Sequence, residues 1–223
     1  MKKIVILTGA GISAESGIST FRDANGLWEN HDIMDVASID GWNSNPQLVL
    51  DFYNVRRAQL KTVHPNKAHY FLADLEKEYN VTIITQNVDD LHERSGSTNI
   101  IHLHGELNKV RSVNNDEVVF EWLDDITLGD LAKDGGQLRP HIVWFGEMVP
   151  MMDLAIEETQ FADIFIVIGT SLQVYPAASL IDYVPTKGKI ICIDPNDLPI
   201  PKDIIHIKKS ATEGVKDLEQ YLL

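Results

Sequence analysis

Three polar clusters, each directly downstream of a short apolar run, hold residue types from which a nucleotide-dependent active site could be assembled. Thr85-Gln86-Asn87-Val88-Asp89 follows residues 81–84, His102-Leu103-His104-Gly105-Glu106 follows Ile100, and Gly169-Thr170-Ser171 follows residues 165–168. An amide near a carboxylate, Asn87 with Asp89, suits recognition of a carboxamide or of ribose hydroxyls. Gly169, Thr170 and Ser171 offer backbone and hydroxyl donors to phosphate or ribose oxygens. His104, beside Gly105, could be a general base, since an unperturbed imidazole titrates near working pH. A fourth stretch, from Thr8 to Ile18, carries Gly9, Ala10, Gly11, Ser13, Ala14, Ser16 and Gly17 straight after Ile4-Val5-Ile6-Leu7. Strand, glycine-rich turn and helix start together form a diphosphate cradle, with Ser13 or Ser16 as the helix cap. Its spacing departs from G-x-G-x-x-G, and each cluster read singly has an ordinary alternative. Asn and Asp after a strand form turns, Gly-Thr-Ser opens helices, and a strand-end histidine is commonly structural.

Such clusters need a scaffold that gathers strand ends. Apolar runs at residues 3–7, 81–85, 100–103, 142–144, 164–168 and 189–193 read as buried parallel strands. Residues 46–60 place Leu48, Val49, Phe52, Tyr53 and Val55 on a helical period, and residues 66–79 do the same with Ala68, Phe71, Leu72 and Leu75. Further helices are expected over 152–161 and 212–222. Alternating strands and helices predict an α/β fold, a doubly wound parallel sheet with ligands at the carboxyl ends of its strands. Two stretches break the rhythm. Residues 22–45 form a polar loop with interspersed aromatics; residues 108–140, rich in Asn, Asp and Gly with a strand-like patch at 118–122, read as a small inserted module.

Composition narrows the function classes. A chain of 223 residues with 44% hydrophobic content can bury a sizeable core in one domain. The net charge of -14 argues against a nonspecific binder of nucleic acid or acidic membrane and would favour lysine-rich partners. No apolar run reaches membrane-spanning length and the amino-terminal one is too short for a secretory signal, which leads us to expect a cytoplasmic protein. The lone Cys192 cannot build a disulfide framework or a multi-thiolate zinc site, and between Ile191 and Ile193 it reads as a small buried hydrophobe.

Taken in order, Gly9-Ala10-Gly11-Ile12-Ser13, Gly17-Ile18-Ser19-Thr20-Phe21-Arg22, Thr85-Gln86-Asn87-Val88-Asp89, His104-Gly105-Glu106, Val143-Trp144-Phe145-Gly146-Glu147 and Gly169-Thr170-Ser171 resemble the sirtuins over nearly the whole chain. The resemblance implies a single catalytic domain over 1–223. Its Rossmann-like core would take in about 1–30, 80–107 and 141–223, with a helical insertion at about 31–79 and the small module at about 108–140. It implies an NAD-dependent protein lysine deacylase that consumes NAD and acts on acyl-lysine proteins or peptides. NAD would lie against Gly9, Ala10, Gly11, Ser13 and Ala14, Gln86, Asn87, Val88 and Asp89, and Gly169, Thr170 and Ser171, with Asp194 and Ala211 near the adenosine end. Phe21 and Arg22 would belong to a mobile loop that shields the reacting sugar. The acyl oxygen would attack the ribose as nicotinamide leaves, giving an alkylimidate. His104 would then deprotonate a ribose hydroxyl, and hydrolysis would yield lysine and O-acyl-ADP-ribose. The substrate strand would pair with Val143, Phe145, Gly146 and Glu147 on one side and with Val174 and Tyr175 on the other. NAD cleavage without acyl transfer, ADP-ribosyl transfer to protein, and a catalytically silent NAD-binding module are the alternatives.

Tyr53 and Arg56, three apart on one predicted helix face, could clamp a carboxylate. The pair resembles that of the sirtuin subgroup which removes succinyl and malonyl groups, so an acidic acyl preference is expected beside deacetylation. In two places the chain departs from the family. Most sirtuins hold a structural zinc in four cysteines of the inserted module, whereas residues 108–140 contain none. We therefore expect no metal and no zinc, the module being held by Val118, Val119, Phe120, Trp122 and Leu123. Asp194 also stands where the family often has Asn; a strand-end carboxylate can accept from ribose hydroxyls.

Overall fold

Ile4, Val5, Ile6 and Leu7 are all fully buried because they lie in β1 (Lys3–Thr8), an interior strand of the main sheet. After it come the short hairpin β2 (Leu27–Trp28) and β3 (His31–Asp32), then α1 (Ile33–Val36), α2 (Ile39–Ser44), α3 (Pro46–Leu60) and α4 (Lys67–Leu75). The chain continues through β4 (Asn80–Thr85), α5 (Leu91–Ser95), β5 (Ile100–His102), β6 (Gly105–Ser112), β7 (Val119–Glu121) and β8 (Leu138–Ile142). It ends with α6 (Met152–Gln160), β9 (Ile164–Ile168), β10 (Lys189–Ile193), β11 (Ile205–Ile207) and α7 (Ala211–Leu222). The computed structural model describes residues 1–20 and 27–222, Leu27 by its backbone alone.

The main sheet has the order β11-β10-β9-β1-β4-β5, and each neighbouring pair is parallel. The chain leaves β1 toward β4 and β5, then returns to its other side through β9, β10 and β11. This reversal is the Rossmann-like switch, and it opens a crevice at the carboxyl ends of β1 and β9. On one face Ile4, Ile6, Ile83 and Ile166 pack with Leu72 of α4 and Val215 and Leu218 of α7. On the other, Val5, Leu7, Phe165 and Val167 pack with Ala155 of α6 and Leu180. Local chemistry sets the helix ends. Asn45 accepts from the Leu48 amide ahead of Pro46 in α3, and Asn66 forms a reciprocal capping box with His69 at the start of α4. Among the described residues no helix is long and apolar enough to cross a membrane.

Three expectations need correction. The run at 142–144 is not a parallel strand of the main sheet. Ile142 closes β8, which is antiparallel to β6 in a separate three-stranded sheet ordered β7-β6-β8; a short apolar run carries no information about which sheet it joins. Nor does the glycine turn open an α-helix. It forms two 3-10 turns, Ala10–Ile12 and Ala14–Ser16, with no side-chain cap, and Gly17 closes them at φ +94°. Third, the inserted module is not held by the predicted patch, because Val119, Phe120 and Leu123 are exposed, while Val118 and Trp122 only fringe the core. Its interior is Val110, Ile126, Ala132 and Leu138, packed into one cluster with Val49, Leu50 and Tyr53 of α3. Asn54 of α3 accepts from the Ile126 amide and donates to the Ile126 carbonyl, both at 2.9 Å. At the open end of the module, buried Ser112 donates to Asp134 at 2.8 Å and accepts from the Asn114 amide, while Asp134 accepts from the Gly136 amide.

Candidate active site

One cavity of about 1090 Å³ lies over the carboxyl ends of the strands and reaches beneath the helical segment. Gly9, Ala10, Gly11 and Ala14 line it at one edge, with Gly169, Thr170 and Ser171, and Asp194 and Ala211 extend that end. Gln86, Asn87, Val88, Asp89 and His104 form its middle, and Tyr53, Arg56, Val143, Phe145, Gly146, Glu147, Val174 and Tyr175 the remainder. Residues more than a hundred positions apart thus meet because the strand order brings their strand ends together. Ser13 is fully buried and does not line the cavity, and Phe21 and Arg22 lie outside the described residues.

The glycines at the first edge have a reason beyond ligand approach. The Gly11 amide donates to the Gly169 carbonyl at 2.8 Å, and a Cβ on Gly11 would sit 2.6 Å from the Gly169 Cα. Gly169 itself has φ +65°, and a side chain there would strike the Ile12 nitrogen at 2.4 Å. Two loops are pressed backbone to backbone, which only glycine permits.

Ser13 organises the middle of the site from behind. Its hydroxyl donates to Asp89 Oδ2 at 2.9 Å and accepts from Asn87 Nδ2 at 3.1 Å. The second Asp89 oxygen accepts from the Leu91 amide at 3.2 Å. Burial pushes the Asp89 carboxyl up to about 6 despite these hydrogen bonds. The missing helix cap and this relay are one fact, since the Ser13 hydroxyl is drawn to Asp89.

His104 has its Nδ1 3.0 Å from the Gln86 carbonyl. A carbonyl can only accept, so Nδ1 carries the proton and Nε2 presents its lone pair. Burial lowers the pKa of His104, which keeps that lone pair available. The following residue must be glycine: Gly105 has φ +79°, and a Cβ would fall 2.0 Å from the His141 carbonyl oxygen.

At the other end Tyr53 and Arg56 are both buried and both line the cavity, so Arg56 is not a solvated surface residue. The Tyr53 oxygen accepts from Trp144 Nε1 at 3.0 Å, leaving its own O–H to donate. The Arg56 guanidinium stacks on Phe52 at 3.5 Å and on Trp28 at 4.2 Å. Burial lowers its pKa to about 10, so it stays charged at neutral pH. Trp28 and Glu29 also line this end. Neither is recognisable from sequence as a site residue, because nothing local in that polar loop points to α3.

Two site expectations change in detail. The Glu147 carboxylate accepts from Arg139 at 2.6 and 3.0 Å, from Arg111 at 3.0 Å and from the Trp144 amide at 2.8 Å. It is an internal anchor, and only the Glu147 backbone remains for a substrate. The segment around it is not a free edge either, because the Val143 and Phe145 amides donate to the His104 and Ala37 carbonyls, and the Phe145 carbonyl accepts from Ile39. Asp194 Oδ1 accepts from both nitrogens of Asn196, which turns the chain after β10.

Comparison with known proteins gives consistent matches. The Sir2 family model matches residues 9–176. An NAD-dependent protein deacylase of Helicobacter pylori is 59% identical over 225 residues, covering 100% of this chain and 98% of its own. One from Bacteroides thetaiotaomicron is 52% identical over 231 residues, covering 100% and 99%. Among solved structures, a Sir2 homologue in complex with NAD superposes with TM-score 0.87 at 41% identity, covering 100% of this chain and 91% of the other. A Sir2–p53 peptide–NAD complex superposes with TM-score 0.80 at 30% identity, covering 98% and 92%.

Proposed function

The chain belongs to the Sir2 family, and from that premise we propose that it is an NAD-dependent protein lysine deacylase whose base is His104. One observation carries the assignment of the base: a buried imidazole whose Nδ1–H is tied to the Gln86 carbonyl, leaving Nε2 for a cavity shared with Asn87 and Asp89. NAD, as co-substrate, supplies a ribose carbon that nicotinamide leaves and hydroxyls that take up the acyl group. The chain's residues fit it. Asn87 and Asp89, oriented by Ser13, offer an amide and a carboxyl to the nicotinamide carboxamide. The Gly9–Gly11 turn and Gly169, Thr170 and Ser171 offer backbone and hydroxyl groups to the diphosphate. His104 Nε2 takes a proton from a ribose hydroxyl, and its lowered pKa keeps it competent to do so. Asp194 and Ala211 sit at the adenosine end, and Phe21 and Arg22 are proposed as the loop over the reacting sugar. A cavity of about 1090 Å³ just exceeds the usual range for a single small ligand, which suits a dinucleotide together with an acyl-lysine.

The peptide enters as an extended strand between Gly146 and the Val174–Tyr175 backbone, main-chain pairing that tolerates many sequences. Phe145 flanks the lysine path to His104. For the acyl group we assign Tyr53 and Arg56 as the clamp for a terminal carboxylate. A buried guanidinium held flat by two rings, next to a phenol whose oxygen already accepts, offers convergent donors to one anion.

Mass spectrometry of products from acetyl-, malonyl- and succinyl-lysine peptides with NAD tests the proposal. Peptide-dependent formation of O-acyl-ADP-ribose in step with nicotinamide supports it. Nicotinamide release that needs no acyl peptide would instead identify an NAD glycohydrolase, and NAD binding without turnover a silent module.

A further inference from the structure

Beside the cavity, three side chains from three separate elements converge: Glu93 of α5, His102 at the end of β5 and Glu106 in β6. One ligand atom from each lies within 4.8 Å of the other two. His102 Nε2 is 2.6 Å from Glu93 Oε1, and Glu106 Oε2 is 2.6 Å from Lys109 Nζ. On its other side His102 Nδ1 lies 3.4 Å from the Asn87 carbonyl. That carbonyl can only accept, so the ring proton belongs on Nδ1 and the Nε2 lone pair points at a carboxylate. At 2.6 Å from the Glu93 carboxylate, Nε2 must carry either a proton or a metal ion. An imidazole oriented by a main-chain carbonyl on its far nitrogen is the arrangement that metal-bound histidines use.

We propose that Glu93, His102 and Glu106 form a site for a divalent transition-metal ion, with solvent completing the coordination. The donor set of one imidazole and two carboxylates suits Zn²⁺ and its neighbours over Mg²⁺ or Ca²⁺. A tetrahedral ion needs its donors about 3.4 Å apart, a spacing within reach of side-chain adjustment by the two glutamates. Lys109 then yields Glu106 to the ion, and the ion replaces the proton between His102 and Glu93, so binding releases protons and tightens as pH rises. None of the three ligands lies within residues 108–140, whose lack of cysteines motivated the expectation of no metal, although Glu106 stands in β6, the central strand of that module's sheet. It does not depend on the deacylase reading.

Calorimetric titration of ZnCl₂ into the full chain, after chelator treatment and removal of the chelator, tests it. The expected result is one ion per chain, bound at least about tenfold more weakly in His102→Ala and in the shape-conserving Glu93→Gln and Glu106→Gln, and unaltered in His64→Gln, which changes an exposed histidine outside the triad. Circular dichroism of each variant separates lost binding from lost folding. No Zn²⁺ binding at submillimolar concentration, or equal affinity in wild type and both folded glutamine variants, would overturn the proposal.

Discussion

As the proposed base, His104 would work only while Nε2 is unprotonated, and burial lowers its pKa from the ordinary 6.5. The sign follows directly: kcat/KM declines toward acid with a midpoint below 6.5. A pH profile whose acid limb, in wild type, has its midpoint above 6.5 would remove His104 from that role. Replacement by Ala should lower acyl removal by about 10²- to 10⁴-fold while calorimetry still detects NAD binding. Arg56→Met should cut kcat/KM on succinyl-lysine by about 10- to 100-fold, the worth of a charge-assisted hydrogen bond, with a smaller effect on acetyl-lysine. Equal losses on both substrates would sink the clamp. Asn87, Asp89, His104 and Gly169 were legible in the sequence because each follows an apolar run and a doubly wound sheet collects such ends. The Ser13 relay was not, since the same residue type caps helices, and its partner Asp89 lies 76 positions away.

Element boundaries were readable where the apolar period is long. Residues 46–60 match α3 to the residue, and β1, β9 and β10 fall where their runs predict. Short elements were not. β11 has three residues, with His206 between its two isoleucines, and β8 could be placed only by knowing that its partner is β6. The inserted module was misread for a related reason: its core is completed by α3, so no patch within 108–140 could reveal it. Hydrogen bonds at Ser112 and Asp134 close its open end, a place where a local cross-link counts because the module is small. Ser112→Ala should therefore cost about 0.5–1.5 kcal/mol, the usual net worth of a hydrogen bond, since Ser112 is buried while its partner Asp134 is exposed, and should speed amide exchange across residues 112–137 selectively. Denaturant melts and exchange mass spectrometry read both.

For the molecule as a whole, the buried histidines set the response to acid. His69 and His92 pack with ring centroids 5.0 Å apart; burial lowers His69 to about 4 and holds His92 well below its ordinary value. The unfolded chain binds protons at these sites from about pH 6.5 downward and the folded chain does not, so stability falls as pH drops from 6.5 toward 4. For His69 alone the linked loss is on the order of 3 kcal/mol. Asp89 opposes it: raised to about 6 from 3.8, its contribution is present at low pH and lost as pH rises through that window. His69 and His92, joined by the lowered His104 and His141, outweigh Asp89 and the raised His102, so urea unfolding should show lower stability at pH 5 than at pH 7; the reverse order would overturn this balance. NAD should raise Tm, and continue to raise it with the logarithm of its concentration after the site is full, as any ligand of the folded state does.

Helix α3 looks both ways. Tyr53 and Arg56 face the cavity, while Asn54 holds Ile126 by both its polar groups and Arg57 donates to the Leu107 carbonyl at 3.0 Å. The parts that would choose the acyl group and the parts that carry the cysteine-free module are therefore neighbours on one rod. A module transplanted from a relative without its own α3 would strand the polar atoms of Asn54 and tilt the helix that presents Arg56. In a chimera the two belong together, or substrate preference drifts with the graft.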